Sequence, residues 1–162
     1  MYDYQISDAI LATWVLIAQT SYVTRKAEER KLLKVGLTPE KVALLRLAKT
    51  YQGILTPAEI ARSLFRESQT IAGLLARMER DGLVTRVPKE KGHPFTEVKI
   101  TAKGEELGRI GIEVASSLTT KLMSSLSAEE LEQLQKLLRK IRQVALDELH
   151  TELLPPPTYP DC

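Results

Sequence analysis

The sequence predicts a mainly α-helical fold with one small β-hairpin. Three observations carry this prediction. Apolar residues recur at helical spacing over most of the 162 residues. Two segments open with a threonine cap and a proline, Thr38-Pro39-Glu40 and Thr56-Pro57-Ala58-Glu59. Between Leu83 and Ile100 the apolar period drops from about 3.6 to 2, then returns to the helical value.

The elements follow in order. A first long helix runs from residue 6 to about 31, with Ile6, Ile10, Trp14 and Ile17 on one face. Leu11 and Val15 add apolar surface on another side, so a single neighbour cannot cover it and a partner subunit is implied. The Thr38 cap opens a second helix that turns Val42, Leu45 and Ala48 inward. The Thr56 segment, a capping box, opens a short helix carrying Ile60, Ala61 and Leu64. Another helix spans about 68–81 with Ile71, Leu74, Leu75 and Met78 on one face, and Gly82 stops it as a left-handed cap. Leu83–Val87 and Thr96–Ile100 are strands joined by a basic loop marked by Gly and Pro, hence a hairpin. From Thr101 a helix presents Leu107, Ile110, Val114, Leu118 and Leu122. A capping box at Ser127-Ala128-Glu129-Glu130 then opens a last helix with coiled-coil-like spacing at Leu131, Leu134, Leu138, Ile141 and Ala145, widened by Leu137 and Val144. Leu154-Pro155-Pro156-Pro157 cannot continue it.

Composition narrows the function. Hydrophobic residues at 43% and charged residues at 27% describe a globular chain. A single cysteine excludes an internal disulfide framework and a cysteine zinc cage, and the two histidines lie far apart. No Ser-His-Asp, Cys-His or phosphate-cradling glycine pattern is present, so neither an enzyme nor a metal or cofactor site is expected. Aromatics at 5% are too few for a single-strand stacking platform. Cys162 has no basic neighbour to activate its thiol, and His150 reads as surface or interface. The longest uncharged apolar run, Ala9–Ala18, is half the ~20 residues that a membrane span needs, and Asp3 and Asp8 precede it where an export signal carries Lys or Arg. A cytoplasmic location is expected.

Charge is unevenly placed. Basic residues outnumber acidic ones eight to three over 24–50 and nine to six over 56–104, whereas both ends are net acidic. A basic middle supplies phosphate contacts and steers a protein onto DNA.

Two short helices followed by a two-stranded hairpin is the order of a winged helix-turn-helix, and the helix from Ser68 occupies the position that enters a major groove. Its outward face carries Gln69, Gly73, Ala76, Arg77 and Arg80. Gln pairs bidentately with adenine and Arg with guanine, while Gly73 and the alanines permit close approach.

The run LTPAEIARSLFRESQTIAGLLARMERDGLVTRVPKEKGHPFTEVKITAKGEEL resembles the multiple-antibiotic-resistance regulator (MarR) family of bacterial transcription factors. Its marks are Thr70, Met78-Glu79, Gly82-Leu83-Val84, Arg86 and the Ile100-Thr101-x-x-Gly104 ending. The resemblance extends to the whole chain, because the long first helix and the two final ones fit that family's dimerisation region. It implies a homodimer on double-stranded, pseudo-palindromic operator DNA, usually a repressor released by a small ligand or oxidant. On this division residues 1–35 and 105–154 dimerise, 36–104 form the DNA-binding unit and 155–162 are a proline-rich tail. Gln69, Thr70, Gly73 and Arg77 would read bases; Arg66, Ser68, Arg80, Arg86, Lys89, Lys91 and His93 would meet backbone or form the wing. Family wings commonly carry an Asp-x-Arg-Asp-like segment, but Pro88–Pro94 has no arginine. The resemblance therefore implies wing contacts that are mainly electrostatic. Trp14, Tyr22 and Tyr51 are candidates for an effector pocket, with core or interface packing as the alternative. A winged-helix protein-interaction module without sequence-specific DNA binding is the rival reading.

Overall fold

Capping chemistry decides where the helices begin. In the computed structural model, which describes residues 5–87 and 96–152, helix α1 (Ala9–Leu32) starts later than its apolar period suggests. Asp8 is the cause. Its backbone is extended and its carboxylate accepts the Leu11 N–H at 2.7 Å, fixing the N-cap there. A short 3₁₀ turn, Leu33–Val35, follows, and Gly36 at φ +75° closes the element. Thr38 and Thr56 cap α2 (Pro39–Thr50) and α3 (Pro57–Ser63), each with proline at its start. Only the threonine half of the box at Thr56 is seen; the Glu59 carboxylate turns to Arg62 at 2.6 Å.

Helix α4 (Ser68–Arg80) ends as expected at Gly82, in the left-handed region at φ +72°. The Leu83 N–H donates to the Met78 carbonyl at 2.8 Å across that turn. Strands β1 (Val84–Val87) and β2 (Glu97–Ile100) pair antiparallel, with Val84 opposite Ile100 and Arg86 opposite Val98. Lys89, Lys91 and His93 lie between them, outside the described residues, as do Cys162 and the tail over 155–162. Thr101 caps α5 (Ala102–Met123), and Ser127 with Glu130 forms a complete capping box on α6 (Ala128–Glu148).

One core joins these pieces: Leu32 and Leu37 meet Leu44, Leu45, Ile60, Ile71, Leu75 and Met78, all fully buried. Helix α5 departs from its sequence pattern. Its Leu107–Leu122 stripe is only half-buried or exposed, and the face turned to the core is Gly104, Gly108, Gly111 and Ala115. Bulk is excluded there because the helix lies against its neighbours almost backbone to side chain. A Cβ at Gly108 would stand 3.3 Å from Leu45 Cβ, and one at Gly111 would stand 2.7 Å from Leu37 Cδ1 and Val42 Cγ2. The α6 stripe is exposed at Leu134, Leu137, Leu138, Ile141 and Val144, as are Ile10, Trp14 and Tyr22 of α1. Among the described residues, no helix is long and apolar enough to cross a membrane.

Candidate nucleic-acid interface

Helix α4 separates its two faces cleanly. Ile71, Leu74, Leu75 and Met78 are buried, whereas Gln69, Thr70, Ala76, Arg77 and Arg80 are exposed and Gly73 is half-buried. The sequence-derived base-reading residues therefore share one open face. Among the described residues, the Arg77 side chain is what a Cβ at Gly73 would meet, with Nη1 at 3.6 Å. Arg66 and Ser68 lie exposed where the turn from α3 enters α4. That turn is tight: Phe65 adopts φ +51°, and the Arg66 N–H donates to the Ala61 carbonyl at 2.9 Å. A cavity of about 390 Å³ opens beside this face, between the start of α2 and α4, with Lys41, Arg66, Thr70 and Arg77 in its wall.

Partnering divides the cations around the face. Arg25 pairs with Glu40, Lys41 with Asp81 at 2.8 Å and Arg62 with Glu59. The Lys41 ammonium holds the Asp81 carboxyl below the usual carboxylate range. Arg66, Arg77 and Arg80 make no ion pair among the described residues. Their charge is directed to solvent.

Arg86 differs from these three. Its Nε and Nη2 donate to Glu79 Oε2 at 2.9 and 2.5 Å, and its backbone N–H donates to Glu79 Oε1 at 3.1 Å. Sequence reasoning missed Glu79 as its partner. The signal was faint: an acid seven residues before a base, across a turn whose geometry decides whether they meet. Thr101, a family mark in the sequence, has a tie to Gly82 that spacing did not reveal. Its hydroxyl donates to the Gly82 carbonyl at 2.7 Å and accepts the Gly104 N–H at 3.0 Å, tying the end of α4 to the start of α5. Lys103 Nζ adds a bond to the Asp81 carbonyl at 2.7 Å.

The three aromatic pocket candidates do not come together. Tyr51 lines a groove of about 740 Å³ between α2, β2 and α5, with Leu45, Ala48, Val98 and Ile112. Burial, then a hydrogen bond to Glu59, pushes its phenol above the ordinary value. Trp14 and Tyr22 stand exposed on α1 and line neither this groove nor the cavity beside α4.

Residues 35–93 match the MarR family. The Escherichia coli O111:H- transcriptional regulator HosA is 35% identical over 107 residues, which cover 65% of this chain and 77% of that protein. The organic hydroperoxide resistance transcriptional regulator of Bacillus subtilis is 28% identical over 124 residues, covering 76% and 82% of the two chains. Among solved structures, the ligand-free organohalide-sensing regulator RdhR superposes with a TM-score of 0.80 at 26% identity, over 99% of this chain and 98% of its own. The Staphylococcus aureus MepR–DNA complex gives 0.75 at 27% identity, over 80% and 96%. A helix-turn-helix whose second helix has an open polar face, a hairpin that follows it and relatives that are themselves transcriptional regulators lead to one conclusion: the chain belongs to the MarR family of winged helix-turn-helix DNA-binding regulators.

Proposed function

We propose that the protein is a homodimeric cytoplasmic repressor that reads a pseudo-palindromic operator through two copies of α4 and is released by a small-molecule effector. The observation that carries this reading is the row Gln69, Thr70, Gly73 and Arg77 on the open face of α4, flanked by Arg66 and Arg80; among the described residues Arg66, Arg77 and Arg80 make no ion pair, whereas Arg25, Lys41, Arg62 and Arg86 each do. Base readout falls to that row. Arg66, Ser68 and Arg80, with Lys89, Lys91 and His93 on the wing, take the backbone, which orients the protein without reading sequence. Residues 1–35 and 105–154 hold the two copies so that their recognition helices lie about 34 Å apart, one turn of DNA. The DNA-bound MepR structure supports the DNA half of this reading.

For release, RdhR offers support, since one of its structures holds 2,4-dichlorophenol. The groove beside Tyr51 is the effector site we assign, because it lies between the DNA-binding unit and α5. A ligand acts there only by binding the DNA-incompetent arrangement more tightly than the competent one.

The test is fluorescence anisotropy on duplex DNA from upstream of the protein's own gene, at two salt concentrations with unrelated duplex as competitor. Specific binding survives the competitor and weakens steeply with salt. Loss of binding under competition, followed by failure to select any sequence from random duplexes, would leave a protein-interaction module instead. On the selected operator, Arg77→Ala should cost about 1–3 kcal/mol and relax preference at a single base position. Gly73→Ala should move two measurements in opposite directions. The added methyl meets no backbone, so helix stability rises by up to about 1 kcal/mol, while operator affinity falls because the helix can no longer approach the bases as closely. Urea denaturation and anisotropy on the same preparation check both.

A further inference from the structure

The paired residues Arg86 and Val98 both point their backbone N–H groups away from the hairpin. Val98 donates to the Leu55 carbonyl at 2.8 Å, and Arg86 donates to the Glu79 carboxylate. A two-stranded hairpin is marginally stable by itself, so these two edge anchors set how the wing leaves the domain. The Leu55 anchor is backbone to backbone. The Glu79 anchor is a side chain of the recognition helix, and the same carboxylate takes up the Arg86 guanidinium.

We propose that Glu79 is a positioning residue that sets the wing against the recognition helix, and that it holds Arg86 as a strut instead of leaving it to a DNA phosphate. The inference rests on the DNA-reading function above and assigns roles within that interface. One carboxylate satisfies an edge amide and a guanidinium together, so removing Glu79 frees the strand end as well as a charge, whereas removing the Arg86 side chain takes away only the guanidinium half of the strut. The mutual attraction is visible in both groups: the Arg86 hydrogen bonds hold the Glu79 carboxyl below the usual carboxylate range, and Glu79 raises Arg86. To reach a phosphate with its full charge, Arg86 would first have to leave Glu79.

Two measurements decide the matter. In the free protein, amide hydrogen exchange should accelerate by about tenfold at Arg86 in Glu79→Ala, while the α4 amides of Ile71, Leu74 and Leu75 keep their protection. Glu79→Gln retains a carbonyl acceptor for the amide and should preserve most of that protection. On operator DNA, Arg86→Ala should weaken binding several-fold with the salt slope unchanged, because a lost phosphate contact would lower that slope by about 0.9. Glu79→Ala should lose a similar factor, and the double variant no more than either single one. Glu79→Ala alone, which keeps Arg86 and frees its guanidinium, should also raise binding to unrelated duplex. A slope that falls by about one unit in Arg86→Ala makes Arg86 a phosphate contact and overturns the proposal. Unchanged exchange at Arg86 in Glu79→Ala overturns it without reference to DNA. Should the wild type show no operator preference, the function above fails, and the exchange result still judges the strut.

Discussion

Gly104→Ala should destabilise the folded protein by about 3 kcal/mol, lowering the urea midpoint at fixed protein concentration. The added Cβ would stand 2.0 Å from the Leu83 carbonyl oxygen and 2.8 Å from Ile100 Cγ2. Ile100 can rotate away. The carbonyl cannot, because it accepts the Thr101 N–H at 3.1 Å and lies at the entry to β1. Relief therefore requires α5 to withdraw from the hairpin, which breaks the Thr101 bonds to Gly82 and Leu83 together. In an unobstructed helix the same replacement gains up to about 1 kcal/mol, so the clash outweighs propensity. Gly73→Ala is the natural control. A Gly104→Ala protein as stable as wild type would show that α5 does not pack as closely as described.

The second large effect concerns the exposed stripe of α6. Leu138→Glu should abolish dimerisation at micromolar concentration and with it high-affinity operator binding. Leu134, Leu137, Leu138, Ile141 and Val144 are exposed in the single chain, and so are Ile10, Trp14 and Tyr22 of a helix with no charged side chain from Ala9 to Thr24. An apolar surface of that extent is rarely left to water. In the homodimer proposed above, two-fold symmetry would place the new carboxylate in the interface twice, and an uncompensated buried charge costs about 3–5 kcal/mol each time. With the halves separated, each protomer holds one half-site and the linkage between them is gone. Sedimentation velocity reads the assembly, far-UV circular dichroism confirms that the protomer still folds, and anisotropy on one-site and two-site duplexes reads the consequence. A variant that sediments as wild type would place the dimer contact elsewhere.

What was legible in the sequence is what local chemistry decides. Thr38, Thr56, Gly82 and Ser127 mark element ends because caps and left-handed turns are settled within three or four residues. The open face of α4 from Gln69 to Arg80 was legible because helical spacing alone separates it from Ile71 and Met78. Asp8 moved the start of α1 by the same local chemistry, overlooked beneath the apolar period. The remainder depends on distance in space. A glycine stripe on α5 reads as weak helix until Leu83, Leu45 and Val42 are seen against it. Arg86 reads as a free cation until the turn at Gly82 delivers Glu79 to it. Trp14, Tyr22 and Tyr51 share chemistry but not location, since only Tyr51 faces the groove between α2 and α5.

Thr101 gives the fold a mechanical property. By holding the Gly82 carbonyl and the Gly104 N–H, with Lys103 on Asp81, it clamps the end of the recognition helix to the start of a 22-residue rod. At 1.5 Å per residue that rod is about 33 Å long. A tilt of about 2° at its far end therefore displaces the clamped end by about 1 Å over this length. Helix α5 thus has the geometry of a lever, whose near end is tied to α4 and whose far end lies a full rod length away.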